Sequence, residues 1–330
     1  MVELSGLLLF VVILALLFDF SNGWHDSANA IATVVSTRVV SPATAVIVAG
    51  GLNVAGAFMS TAVAKMVGGG IVDPQAVTQV VVASALAGAI IWNFLTLMLG
   101  LPTSSSHALI GGLVGAAIAH GGVNAVKFSG LRGVLEAMVL SPFFGFAMGL
   151  LLMVALSWAF FRVPRAQALR VFSRLQLVSA SFMAFSHGAN DAQKAMGIIT
   201  LALVSAGAIS TPEVPTWVIG SCALAMGLGT AVGGWRIVRT LGMRIAKLEP
   251  VHGFAAETGA AAVLLFTAHA GLPVSTTHTI TSTVMGVGAV KRLSAVRWGV
   301  TARILSAWLF TLPGAALLAT TIYLIVSKLL

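Results

Sequence analysis

The stretch GWHDSANA, residues 23–30, decides the fold because it places charged and amide side chains directly after an apolar run. A related stretch lies in the second half of the chain. FSNGWHDSANAIA, residues 20–32, aligns with FSHGANDAQKAMG, residues 185–197, and five of the thirteen positions are identical. The match includes Asp26 over Asp191, an acidic residue that is rare in apolar surroundings. The sequence therefore predicts an internal duplication.

A second pair of motifs supports the duplication. PTSSSHALIGGLVG, residues 102–115, aligns with PVSTTHTITSTVMG, residues 273–286, and proline, serine, histidine and glycine coincide. The offsets of the two pairs are 165 and 171 residues, so both halves carry the same motifs in the same order. Chance similarity of Gly/Ala/Ser-rich sequence explains this less well, because the identities include Asp, His and Pro. Duplicated halves of transporters often have opposite orientation and hold the substrate between them.

The composition indicates an integral membrane protein. Only 8% of the 330 residues are charged, 58% are hydrophobic and the mean hydropathy is +1.02. Apolar blocks occupy residues 4–20, 43–67, 76–101, 133–161, 215–235, 255–272 and 304–327. Because such runs satisfy their backbone groups in lipid only as helices, we predict an all-α polytopic protein with about 10–12 helical segments.

Four segments look too short to span a bilayer, namely residues 24–37, 104–120, 191–208 and 276–290. Short segments of this kind, at corresponding positions in both halves, indicate broken or re-entrant helices around a binding site. We assign a first transmembrane repeat to residues 1–161, a basic cytoplasmic connection to 162–174 and a second repeat to 175–330. The run 4–20 is interpreted as the first helix rather than a signal peptide, because Glu3 precedes it in place of basic residues.

The formal net charge of +9 comes from basic residues in short connections between apolar blocks. Such clusters are typical of cytoplasmic loops, so we predict a role in topology and no nucleic-acid partner. An anion-attracting surface is the lesser alternative. The three clusters are Arg162, Arg165, Arg170 and Arg174; Arg236, Arg239, Arg244 and Lys247; and Lys291, Arg292 and Arg297.

A carboxylate inside the membrane is costly unless it has a partner or faces a cavity, so Asp26 and Asp191 are candidate functional residues. For Asp191 a structural ion pair with Lys194, three residues later on a helix, is the alternative. Asp26 and Asn29 share a helix face and offer oxygens that suit Na⁺, or a carboxylate that takes up a proton. We expect residues 22–23 to be unwound and to add backbone carbonyl oxygens.

The second motif pair contains no acid. Proline followed by hydroxyl residues at 103–105 and 275–277 looks like a helix start. Free backbone N–H groups, the helix dipole and hydroxyl donors at such a start form an anion site. Simple capping is the alternative.

Four histidines adjoin these motifs. His107 and His278 close the hydroxyl runs, while His25 and His187 flank the acidic motifs. Each one orients a hydroxyl, donates to an anion, carries a proton or is a satisfied structural histidine. A zinc site is disfavoured because no HxxxH or CxxC spacing occurs, and the single Cys222 excludes an internal disulfide.

Together the motifs predict symport. An oxyanion beside two ionised aspartates needs accompanying cations or protons. Moving one charge against 100 mV costs about 2.3 kcal/mol, so a doubly charged anion needs at least two co-transported positive charges to enter a negative-inside cell. Sulfate or another oxyanion, a passive anion channel and an intramembrane hydrolase with an aspartate dyad are the alternatives.

At these residues the sequence resembles the inorganic phosphate transporter (PiT) family, of the bacterial low-affinity permease type. GWHDSANA and HGANDAQKA are similar to its duplicated signature, commonly written GANDVANA, and the resemblance extends through PTSSSH and PVSTTH. It implies a multi-pass phosphate symporter of the inner cell membrane with inverted repeats, coupled to H⁺ or Na⁺, with no cofactor and no enzymatic activity. It also implies a homodimer, contacts with membrane lipid and acceptance of metal–phosphate complexes.

The resemblance also implies residue roles. The coupling cation, a proton or Na⁺, would be bound by Asp26, Asn29, Asn190 and Asp191. Phosphate would be bound by Thr103, Ser104, Ser105, Ser106, Ser275, Thr276, Thr277 and Lys194. Auxiliary residues would be Asn22, His25, His107, His187 and His278.

The chain departs from the signature in both copies. His25 replaces an asparagine, and Gln193 and Lys194 stand where the first copy has Ala28 and Asn29. Lys194 would replace one cation or contact phosphate, which argues against a symmetric pair of Na⁺ sites. These departures resemble the bacterial branch and favour H⁺ over Na⁺.

Overall fold

The computed structural model describes residues 6–73, 77–272 and 274–329, and within them the chain forms twelve α-helices. The first half contains α1 (Gly6–Ser36), α2 (Pro42–Ala57), α3 (Ala62–Gly69), α4 (Gln79–Leu99), α5 (Ser105–Gly121) and α6 (Phe128–Ala159). The second half contains α7 (Arg165–Ser205), α8 (Thr216–Val232), α9 (Trp235–Arg239), α10 (Pro250–His269), α11 (Thr276–Ala289) and α12 (Trp298–Val326). The all-α prediction and the predicted number of segments are confirmed.

The described helices fit a multi-pass membrane protein. Five of them, α1, α4, α6, α10 and α12, are long and apolar enough to cross a bilayer. Two bent pairs raise the number to seven if each is one span: α2 with α3, bent by 75°, and α8 with the segment 235–244, bent by 59°. Within that segment α9 continues as one π-helical turn over Thr240–Arg244. Broken helices therefore occur as predicted, but these two pairs lie outside the four segments in which the sequence placed them.

Two of the four predicted short segments are wrong. Residues 24–37 and 191–208 belong almost entirely to long continuous helices, the 31-residue α1 and the 41-residue α7. Short helices do form at α5, with 17 residues, and at α11, with 14. The error arose because glycines and polar residues were taken as breaks, although in these helices they serve packing and the site.

Gly23 shows this most clearly. Residues 22–23 are helical, not unwound as predicted, because α8 packs closely against α1 at this point. A Cβ on Gly23 would lie 2.3 Å from the carbonyl oxygen of Met226, and one on Gly229 would lie 2.1 Å from that of Phe20. Each helix therefore places a glycine against the backbone of the other.

The same reciprocal contact recurs between α2 and α7. A Cβ on Gly188 would lie 2.2 Å from the carbonyl oxygen of Asn53, and one on Gly56 would lie 2.0 Å from that of Phe185. Gly188 is the residue that aligns with Gly23 in the duplicated motif. Likewise α5 packs along α12 and α11 along α6, so helices of one half pack against those of the other.

Helices α1 and α7, which carry the acidic motifs, run antiparallel. Thr37 near the end of α1 donates to Gln176 in the first half of α7 at 2.9 Å, whereas Asp26 lies near Asp191, much further along α7. This arrangement is consistent with inverted repeats. The inversion across the membrane and the repeat boundaries 1–161 and 175–330 stay predictions.

The basic connections meet at one end of the bundle. Arg165, Lys247 and Lys291, one from each cluster, line a single pocket, and Arg165 Nη2 lies 2.7 Å from Glu249 Oε1. Most of the predicted connection 162–174 is helical, because α7 already begins at Arg165 in a stretch rich in Ala, Arg, Gln and Leu. Its assignment to the cytoplasm stays a prediction.

Candidate functional site

The antiparallel packing of α1 and α7 brings the two acidic motifs together. Carboxylate oxygens of Asp26 and Asp191 and a ring nitrogen of His187 all lie within 4.8 Å of one another. All three side chains are buried. The structure thus joins the two aspartates that the sequence singled out into one centre.

Asp191 is held by partners from two helices. Lys194 Nζ donates to its Oδ1, so the predicted ion pair is formed, and Thr276 Oγ1 of α11 donates to Oδ2 at 3.0 Å. His187 Nε2 lies 3.4 Å from the same Oδ2. Lys194 is itself buried, which makes its charge part of the site rather than of the surface. The structural ion pair with Lys194 and a functional role of Asp191 therefore do not exclude each other.

Asp26 is held by its neighbour His25. The His25 Nδ1 atom lies 2.6 Å from Asp26 Oδ1, and His25 Nε2 lies 3.1 Å from Thr96 Oγ1 and 3.4 Å from Thr103 Oγ1. His25 thus links the first acidic motif to the first hydroxyl run. Thr96 was missed, because it lies in the apolar run of α4 with no motif around it.

Asn29 joins the first half to the second. Its Nδ2 donates to Thr276 Oγ1 at 3.2 Å and to Thr277 Oγ1 at 3.0 Å. Since Thr276 also donates to Asp191, one continuous network runs from α1 through α11 to α7. The Oδ1 atom of Asn29 has no hydrogen-bond partner within the described part of the chain.

The two hydroxyl runs begin helices as predicted. Ser104 Oγ caps α5 by accepting from the backbone N–H of His107 at 3.2 Å, and Ser275 Oγ caps α11 by accepting from that of His278 at 3.1 Å. In a helix the other N–H groups of the first turn have no helical acceptor. Capping thus uses one hydroxyl per run. The hydroxyl of Ser105 has no partner in the described part of the chain, whereas those of Thr276 and Thr277 bond to Asn29 and that of Thr276 also to Asp191. Pro273 lies outside the described residues.

The first turns of α5 and α11 lie side by side. The rings of His107 and His278 are 4.7 Å apart in an edge-on contact, and His278 stacks on Trp308 at 3.8 Å. Trp308 Nε1 donates to the carbonyl of Pro102 at 2.8 Å, which ties α12 to the first hydroxyl motif. Both histidines therefore have a packing role at the meeting point of the two motifs.

Two other predicted residues are buried but stand outside this network. Asn190 has no side-chain hydrogen bond among the described residues, and Asn22 contacts Met226 Sδ through its Nδ2 at 3.8 Å. Asn22 lies one turn before Asp26 on α1. The structure does not join either amide to the two aspartates by a hydrogen bond.

Two buried acids were missed by the sequence analysis. Glu257 of α10 accepts hydrogen bonds from Thr33 at 2.5 Å, from Gln176 at 3.0 Å and from Ser179. It therefore ties α10 to both α1 and α7. The second missed acid is Asp19, which lies on α1 like Asp26 and is fully buried. The rule that flagged Asp26, a carboxylate inside an apolar run, applies to both and would have found them.

The centre has the charge and the ligands for a cation. Asp26, Asp191 and Lys194 together carry a formal charge of −1 when the histidines are neutral. Carboxylate oxygens with the free Asn29 Oδ1 suit Na⁺, and the ring nitrogen of His187 adds a ligand for a divalent ion. An anion at the adjacent helix starts would need such a cation.

These features define a class: a polytopic helical membrane protein with a buried polar centre built from both halves, as in secondary transporters. Residues 22–319 match the model of the phosphate transporter family, and the chain belongs to that family. The resemblance of the two signature motifs is thereby confirmed. The family is one of transporters, so the expectation that the chain is not an enzyme is supported too.

Related proteins match along nearly the whole chain. A probable low-affinity inorganic phosphate transporter of Rhizobium meliloti (strain 1021) is 50% identical over 319 residues, which is 96% of each chain. A protein of the same description from Bacillus subtilis (strain 168) is 45% identical over 98% of each chain. A solved structure, "The sodium-dependent phosphate transporter", superposes with a TM-score of 0.91 at 24% identity, covering 99% of this chain and 100% of that one. That likeness shows the shared fold.

Proposed function

We propose that this chain imports inorganic phosphate across the cell membrane by symport with H⁺ or Na⁺ through alternating access. The family match and the names of the relatives support phosphate as the substrate. The observation that carries the proposal is the position of Thr276, which donates to Asp191 and accepts from Asn29. One hydroxyl residue thus connects the helix start that would bind the anion with both acidic motifs that would bind the cation.

Phosphate would bind at the facing first turns of α5 and α11. Their free backbone N–H groups and hydroxyls donate to an oxyanion without a buried arginine. Lys194 would add a positive charge once its contact with Asp191 is shared with the anion. The proposed phosphate ligands are Thr103, Ser104, Ser105, Ser106, Ser275, Thr276, Thr277 and Lys194.

The coupling cation would bind at Asp26, Asn29, Asn190 and Asp191. A bound cation offsets the charge of phosphate, and each charge moved against 100 mV is worth about 2.3 kcal/mol. Net inward transport against a negative interior therefore requires the coupled positive charge. The auxiliary roles of Asn22, His25, His107, His187 and His278 also stay proposals, as does a homodimer.

The side chain of His187 favours a metal–phosphate complex as a second form of the substrate. One nitrogen and two carboxylates within 4.8 Å suit a divalent ion better than Na⁺, which prefers oxygen. In this variant of the proposal the ion is cargo that travels with phosphate and is released with it.

Substrate identity can be tested by uptake of ³²P-phosphate into proteoliposomes that contain the purified chain. We expect saturable uptake that excess unlabelled phosphate abolishes and equal sulfate leaves largely intact. Equal inhibition by sulfate would contradict phosphate as the preferred substrate. The variant Glu136→Gln, which alters an acid exposed on α6 and paired with Arg132, serves as the matched control for assays of acidic residues and should behave as wild type.

A further inference from the structure

Asp19 is the buried acid that no part of the site described above uses. Its side chain is 0% exposed, and neither carboxylate oxygen has a hydrogen-bond partner in the described part of the chain. It lies seven residues before Asp26, which is two helical turns or about 10 Å along the same face of α1. Asn22 and Asn29 lie on that face as well, so Asp19 begins a buried polar stripe that leads into the centre.

The groups that face Asp19 give it no cationic partner of its own. On α1 the amide of Asn22 is a neutral donor near it. From α7, Asp191 opposes a negative charge on Asp19 and Lys194 favours one, and on α8 Cys222 is the titratable group that interacts with it. The ammonium of Lys194 donates to Asp191. The neighbouring carboxylate of Asp191 therefore repels a negative charge on Asp19, and the ammonium of Lys194 is already paired with Asp191.

The other buried acids differ in this respect. Asp26 is bonded to His25, Asp191 to Lys194 and Thr276, and Glu257 accepts from three side chains. Donors of this kind stabilise an ionised carboxylate, whereas an isolated buried one is strongly disfavoured and takes up a proton instead. Among the described buried carboxyl groups, Asp19 is thus the one whose oxygens accept no hydrogen bond, which leaves it able to bind a proton.

Comparison of the two motif copies also singles out Asp19. In the alignment of the two acidic motifs the residue opposite Asp19 is Ala184, and the residue opposite Lys194 is Asn29. Within these aligned segments, α1 therefore carries one additional acid and α7 one additional base, and these two residues lie within electrostatic range of each other. Because Asp19 adds a negative and Lys194 a positive formal charge, both residues contribute to the charge of the centre and with opposite sign.

We propose that Asp19 is a proton-binding site of the transport cycle and carries the coupling proton, while Asp26 and Asp191 keep their hydrogen-bond partners beside the substrate. This rests on the proposed function and changes it in one respect: for coupling to H⁺, the proton is carried by Asp19 rather than by Asp26 or Asp191. The carboxylate of Asp19 takes a proton from the outside when phosphate binds, which removes a negative charge next to the occupied centre. It returns the proton to the inside as phosphate leaves.

The position of Asp19 fits this path. Thr33, further along α1, bonds to Glu257 towards the end of the bundle that carries the basic connections. Asp19 lies on the opposite side of Asp26 along the helix. With the basic end in the cytoplasm, Asp19 is on the outer side, from which protons enter a negative-inside cell.

The test separates net transport from exchange. Asp19→Asn imitates the protonated acid, so proteoliposomes with this variant should lose phosphate accumulation driven by a pH gradient. They should retain exchange of internal phosphate for external ³²P-phosphate at equal pH, because exchange needs no net proton movement. Glu136→Gln should retain both. Undiminished pH-driven accumulation by Asp19→Asn, or loss of exchange together with accumulation in a folded variant, would overturn the proposal.

An infrared measurement follows the proton itself. With inorganic phosphate bound, the wild-type protein should show the C=O stretching band of a protonated Asp19, and Asp19→Asn should lack that band. If Asp19→Asn does not fold, Asp19→Glu is measured, which should retain pH-driven uptake and shift the band. A band unchanged in the folded variant would rule out Asp19 as its source. If wild type transports no phosphate, the proposed function fails; if it transports phosphate with Na⁺ and ignores pH gradients, this inference alone fails.

Discussion

Thr276 illustrates how a single hydroxyl connects the parts of the site. It is buried, accepts from Asn29 and donates to Asp191, so it lies where the anion and cation sites meet. Ser105 in the other copy is buried too, and its hydroxyl has no partner among the described residues. An unpartnered hydroxyl at a helix start is available to a ligand.

We expect Thr276→Ala and Ser105→Ala to weaken phosphate affinity. Each removes one hydrogen bond to a charged ligand, worth about 1.5–3 kcal/mol, or about a tenfold or greater increase in KM for uptake. Ser306→Ala is the matched control, because Ser306 is exposed on α12 and donates to the carbonyl of Arg303 in its own helix. An unchanged KM in both buried variants would remove the hydroxyl runs from the phosphate site.

Residue spacing predicted much of the centre but not its partners across helices. The periodicity of α1 places Asp26 and Asn29 on one face, and the duplication pairs Asp26 with Asp191. That Asn29 contacts the second hydroxyl run, and that Thr96 contacts His25, depends on which helices pack together. Periodicity within one helix contains no such information.

At the scale of the helices, α1 packs closely on α8, and α7 on α2. This packing explains why the prediction of an unwound stretch at residues 22–23 was wrong. Glycine in a membrane sequence is compatible with a break, but it also allows backbones to approach closely. The sequence alone does not distinguish these uses. In the structure Gly23 lies against the backbone carbonyl of Met226, so its role is close helix packing.

We expect Gly23→Ala to destabilise the protein severely. Its new Cβ would lie 2.3 Å from a backbone carbonyl oxygen, which cannot move without separating α1 from α8. Gly51→Ala in α2 is the control, because a Cβ there meets no atom of the described residues within 4 Å, and alanine stabilises a helix by about 1 kcal/mol relative to glycine. Thermal unfolding in detergent should show a lower Tm or no folded protein for Gly23→Ala alone. Equal Tm values for the two variants would contradict this packing.

The molecule as a whole is two interlocked halves that share one buried centre. Motif identities predicted the duplication. The charge clusters predicted a cytoplasmic side; in the structure Arg165, Lys247 and Lys291, one from each cluster, line one pocket, and the side itself stays a prediction. The long α1 and α7 were not predicted, because polar residues at the site resemble helix ends in sequence. What they form in three dimensions is an antiparallel pair that joins the acids of both halves.

The most direct test of symport is ³²P-phosphate accumulation in proteoliposomes under Na⁺ and H⁺ gradients imposed separately. Wild type should concentrate phosphate above its external level under at least one gradient and only equilibrate it when both are collapsed. Asp26→Asn and Asp191→Asn should lose this accumulation, because each removes a charge that balances the coupling cation, whereas Glu136→Gln should keep it. Normal accumulation by both aspartate variants, or wild-type uptake that never exceeds equilibrium, would contradict the account.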